Sequence, residues 1–226
     1  MRSRPGSRAR VALAAALVAL AATASAQPAP SAPAPPAAAP RPAVSELAPL
    51  ALDLAVAELD GVPVASDAWL AEELAQAERL LAPHGVHLAP PRRRALAARF
   101  ARLETAADRD ALAAELAPGA LQVFVVRTLR DVDDPRLERQ GVRWRLLRDL
   151  RKSYVILSTA AMPTTLAHEL GHALGNPHSP VPNNVMSYER DDPALIAFDA
   201  SQGAKMRAVA RQLLATWQAL ARAAAR

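Results

Sequence analysis

Residues 164–180 read TTLAHELGHALGNPHSP and hold three of the chain's five histidines within eleven positions. His168 and His172 are four apart, so a helix sets them on one face, one turn above the other. Two imidazoles so placed can reach one metal ion at about 2.0–2.1 Å. Glu169 follows the first of them, where a carboxylate can meet a metal-bound water rather than the metal itself. Zinc lowers the pKa of such a water to about 7, and Glu169 can take its proton as attack begins. Gly175, three residues after His172, can adopt a left-handed conformation and end the helix sharply. Pro177 then discourages further helix, and the returning chain can bring His178 to the same ion. Three neutral imidazoles leave one position open, as in a catalytic rather than a closed structural site.

HELGHALGNPH, His168 to His178, fits H-E-x-x-H-x-x-G-x-x-H at every fixed position and resembles the zinc-binding signature of the metzincin peptidases. NNVMSY follows, with Met186 eight residues after His178, and resembles that family's methionine turn. Its V-M-S-Y form looks most like serralysins and, more loosely, astacins; no subgroup is assigned, because the calcium-binding glycine repeats of serralysins are absent. The resemblance implies an α+β, zincin-like (metzincin) domain. That domain would have a twisted five-stranded mixed β-sheet with helices, a zinc-binding active-site helix, and a small C-terminal subdomain ending in a long helix. It also implies Zn2+ as cofactor, Met186 as an apolar floor beneath the imidazoles, and Tyr188 reaching the zinc or the developing oxyanion. The motif match covers residues 163–188; elsewhere the likeness is architectural.

Working outward, five strand candidates precede the zinc helix, or lead up to it. LALDLAVAEL (50–59) alternates, VHL (86–88) is short, LQVFVV (121–126) and YVILS (154–158) read as buried, and GVRWRL (141–146) sets Val142, Trp144 and Leu146 against Arg143 and Arg145. Helices are expected over 66–81, with Ser66 as N-cap, over 105–116 from a Thr105-to-Asp108 capping start, and from Pro163. A final helix is expected after Ser201 as cap, with Met206, Val209, Leu213, Trp217 and Leu220 on one stripe. Residues 91–104 are arginine-rich and ambiguous, and Arg92, Arg93 and Arg94 read as a solvated face. His84 and His87, and Asp131, Asp133 and Asp134, read as surface or loop residues rather than a second metal site.

The N-terminus carries four arginines in its first ten residues, an uncharged run from Val11 to Ala24, and Ala24-Ser25-Ala26. This pattern predicts a signal peptide (1–26) cut after Ala26, and hence a secreted or periplasmic protein. The apolar run is too short for a stable membrane anchor. Residues 27–44 hold seven prolines and read as a Pro/Ala-rich linker; residues 45–226 form the peptidase-like domain. Removing the first 26 residues takes the net charge from +5 to +1, and no basic stripe with interleaved aromatics remains, so nucleic acid is not an expected partner. The chain has no cysteine, which closes the route of latency by a propeptide thiol on the zinc.

The function expected is an exported zinc metalloendopeptidase acting on protein or peptide substrates, as a monomer. Glu169 and Tyr188 are its catalytic candidates, and His168, His172 and His178 its metal ligands. Two alternatives stay open: a zinc-containing binding protein without catalysis, and a zinc hydrolase of non-peptide amides such as cell-wall links. On GVRWRL, Arg143 and Arg145 either favour acidic substrate side chains or guard an open sheet edge against association.

Overall fold

The computed structural model describes residues 47–226. The expected signal peptide and the whole of the proline-rich linker lie outside the described residues. In chain order the elements are β1 (Leu52–Leu59), β2 (Val62–Pro63), α1 (Asp67–Leu81), β3 (Arg92–Leu96), β4 (Arg102–Leu103), α2 (Ala106–Ala111), β5 (Leu121–Val126), β6 (Thr128–Leu129), β7 (Gly141–Arg145), β8 (Ser153–Ser158), α3 (Thr165–Ala173) and α4 (Ala200–Ala224). The fold is α+β: a mixed sheet with helices against it and a long C-terminal helix.

The sheet runs β3-β1-β5-β8-β7. The first four strands are parallel and β7 is antiparallel at the edge. β2 folds back on the end of β1 through Asp60-Gly61, whose φ values of 52° and 76° suit a two-residue hairpin turn. β4 and β6 form a separate short parallel pair.

The central strands are buried on both faces. Leu52, Leu54, Val56, Val123, Val125, Val155 and Leu157 pack with α1, α3 and α4 on one side. Ala55, Ala57, Phe124, Val126, Tyr154 and Ile156 pack with Phe100, Leu103 and Leu112 on the other. Helices on one face and an irregular layer on the other leave β1 no wet side, so its expected alternation becomes continuous burial.

Three expectations are corrected. VHL is not a strand: Leu88 makes only an isolated bridge to Leu50, and after Ala89 come Pro90 and Pro91, with no N–H to extend a ladder. The missing strand is β3, in the arginine-rich segment. Arg92 and Arg93 are exposed, as a solvated face requires, but Arg94 is partly buried, and Arg92 Nε and Arg94 Nε donate to buried Asp53 on β1 at 2.6 and 2.8 Å. Thirdly, Asp199 rather than Ser201 caps α4: its Oδ1 accepts from Gln202 N at 2.8 Å while Gln202 Oε1 accepts from Asp199 N at 2.9 Å. Two caps are as expected, Ser66 on α1 and the Thr105–Asp108 capping box on α2. Pro163 stands one residue before the α3 N-cap, Thr164, rather than at the first helical position. No described helix is long and apolar enough to cross a membrane.

Candidate metal centre

α3 carries His168 and His172 one turn apart, and it ends as the sequence demands. Gly175 has φ +93°, its N–H donates to His172 O at 3.0 Å, and Asn176 N–H donates to Gly171 O at 2.9 Å. This paired closure is a Schellman motif, which needs a residue tolerant of positive φ at that point. The reversed chain brings His178 back beside the helix.

The three rings converge, with one donor nitrogen from each lying within 4.8 Å of the others. His168 Nδ1–H donates to Val185 O at 2.7 Å, and His172 Nδ1–H donates to Asn176 O at 2.8 Å. Both bonds orient the rings and leave Nε2 as the free lone pair. His172 Nε2 stands 3.1 Å from His178 Nε2. Two nitrogens each about 2.0–2.1 Å from one tetrahedral ion are separated by about 3.3 Å, so the spacing fits a shared zinc. Burial lowers the His168 pKa to about 4 and lowers that of His172, which keeps both rings in the neutral, ligating form. Among the described residues no other group of three His, Cys, Asp or Glu side chains converges in this way. His84 instead packs edge-on to Phe198, and His87 pairs with Glu78 at 2.7 Å. Asp131 holds its own loop by accepting from Asp133 N and Asp134 N, and pairs with Arg139.

Glu169 is buried beside the triad, and burial pushes its carboxyl up to about 7, opposed by the Arg143 backbone N–H. Tyr188 Oη lies 2.9 Å from His178 Nε2, so the hydroxyl reaches the triad although the residue is exposed. Met186 is fully buried, beneath Gly171 of α3. A cleft of about 980 Å³ opens over these groups, walled by β7 on one side and by residues 175–178 and Tyr188 on the other.

No protein-family model matches this chain, and no curated protein does. Among solved structures it is similar to an archaemetzincin. That protein, from Methanopyrus kandleri, superposes with a TM-score of 0.47 at 17% identity, over 72% of this chain and 96% of that chain.

Sequence reasoning passed over several residues that build the centre. Gly171, an unspecified position in the motif, has Met186 Sδ and Phe198 where a Cβ would stand. Gly141 faces α3 so closely that a Cβ would lie 2.8 Å from Thr165 Cγ2 and 3.0 Å from Glu169 Cγ. Glycine inside a helix or at the head of a strand is a signal of close approach. Glu73 of α1 accepts from Leu166 N, in the first turn of α3, at 3.2 Å. It compensates for Thr164, whose side chain makes no cap hydrogen bond. Asn184 and Gln202 exchange two amide hydrogen bonds of 3.0 Å, and Asn184 Oδ1 also accepts from Met186 N at 2.8 Å. The first turn of α4 thereby clasps the methionine turn.

Proposed function

We propose that this chain is an exported zinc-dependent metalloendopeptidase, of the metzincin type its motif resembles. The observation that carries the reading is the convergence of three imidazoles at the floor of a cleft, with a buried carboxyl group beside them. His168, His172 and His178 would hold the ion through Nε2. Bound there, zinc would supply Lewis acidity toward a water and a scissile carbonyl at the position the imidazoles leave open.

The chain's own groups do the rest. Glu169, whose carboxyl sits near neutrality, takes a proton from the attacking water and passes it to the departing amine. Tyr188 Oη donates to the carbonyl oxygen as negative charge builds on it. A zinc-binding protein without catalysis has no use for a carboxyl group buried against its ligands, which favours the enzyme. The basic start, short apolar run and Ala-Ser-Ala ending support export.

The test is a peptide library offered to the zinc-supplied protein, with cell-wall fragments in the same panel. Peptide cleavage should vanish with a chelator and return with zinc. Glu169→Ala should lower it by about 10²–10⁴-fold while bound zinc, measured by metal analysis, is retained. Undiminished cleavage by Glu169→Ala, or cleavage of wall fragments alone, overturns the reading.

A further inference from the structure

Arg143 is placed unusually for a surface cation. It stands on β7, the outer strand of the sheet, and shares a strand face with Gly141, whose open side meets Thr165 and Glu169. Val142 and Trp144 take the opposite face. The Arg143 side chain therefore projects toward α3 and lines the cleft together with His172 and Glu169. It is half-buried. Its Nε donates to Ser153 Oγ at 3.0 Å, which fixes the plane of the guanidinium and leaves both Nη atoms without an acceptor among the described residues.

No described carboxylate lies within ion-pair distance of it. Other arginines around this sheet do find one: Arg92 and Arg94 share Asp53, and Arg139 takes Asp131. None of the described acidic groups that line the cleft pairs with the Arg143 guanidinium. Asp131 is held by Arg139 and by its own loop, Asp133 lies near Arg109, and Glu169 meets Arg143 through the backbone N–H rather than the side chain. Arg145, two residues further along the same face, is exposed and also unpaired among the described residues.

A charge that guards a sheet edge works best in solvent, as Arg145 does. Arg143 is instead drawn partly out of water and fixed by Ser153. Withdrawing a cation from water without an opposite charge is unfavourable, and the free protein offers no compensation. A guanidinium with two free, co-planar Nη groups is shaped to receive a carboxylate in two hydrogen bonds.

We propose that Arg143, backed by Arg145, is a carboxylate-recognition point in the cleft, so that the enzyme selects peptides carrying an acidic group beside the bond it cleaves. The proposal rests on the peptidase reading above. The carboxylate can come from an aspartate or glutamate side chain or from a peptide's C-terminus, and the experiment separates the two.

Binding is measured by calorimetry on the full chain carrying Glu169→Ala and supplied with zinc, so that no turnover intervenes. One arm compares peptides that differ only in Glu or Gln at successive positions, all with amidated ends. The other compares free and amidated C-termini on a neutral peptide. One arm should show roughly tenfold tighter binding of the charged form, shrinking as salt is raised. Adding Arg143→Gln should bring that ratio close to one, and Arg143→Lys, which keeps the charge but not the fork, should leave it intermediate. Should Arg143→Gln fail to fold, Arg143→Lys carries the comparison. Equal affinities in both arms, or a ratio that survives substitution of Arg143, overturn the proposal while leaving the peptidase reading intact. Absence of binding by every peptide defeats the peptidase reading, and this proposal with it.

Discussion

Glu73 shows how much one side chain contributes to the centre without touching it. Its residue is 2% exposed, one oxygen accepts from Leu166 N, and the other has no partner among the described residues. Burial pushes its carboxyl up to about 7 from an ordinary 4.5. A carboxyl raised on folding favours the protonated form, so the native state loses stability as pH rises from about 4.5 to about 7 and gains nothing back above that. Glu73→Gln copies the protonated acid. It should match the wild type near pH 4 and exceed it by about 1–3 kcal/mol at pH 8, the upper figure being the full shift converted to free energy. Urea unfolding at the two pH values checks this, and a difference that does not grow with pH contradicts it. Glu73 went unread in the sequence, an acid among the apolar Leu70, Leu74 and Ala77 of α1. Its partner lies 93 residues away, and no local pattern names that.

Among the elements, those whose ends are closed by nearby residues were legible. Ser66 and Thr105 cap their helices from within three residues, and Gly175 and Asn176 end α3 through their N–H bonds to His172 O and Gly171 O. The motif made the triad legible for the same reason, since its donors sit within eleven positions on a helix and the turn that follows it. What escaped was fixed by distant partners. β3 is a strand because Asp53, 39 and 41 residues earlier, anchors Arg92 and Arg94. The exception is the Asp199–Gln202 box that opens α4, as local as those caps yet passed over for Ser201, while the bond from Gln202 to Asn184, 18 residues back, has no local signal. This clasp yields a prediction: Gln202→Leu strands buried Asn184 and loosens the turn that holds His168 through Val185 O. It should lower stability by about 1–3 kcal/mol in urea unfolding and weaken zinc in chelator competition. Unaltered zinc affinity would separate the clasp from the centre.

For the whole molecule, the ion is coupled to folding because its donors come from α3 and from the returning chain, which are adjacent only in the native state. Zinc at about a thousand times its dissociation constant should add about 4 kcal/mol. In a domain of this size that is roughly 10 °C in melting temperature, lost on chelation. Calorimetry with and without chelator checks it, and identical melting curves count against the triad as a metal site. The clasp between Asn184 and Gln202 has one more consequence. In ribosomal order the strands are delivered first, the third donor at residue 178, and the residue that locks the floor only at 202. A nascent or prematurely terminated polypeptide thus carries every strand and all three imidazoles while lacking both the clasp and Met206 and Ala210 of α4, which close the core beneath them.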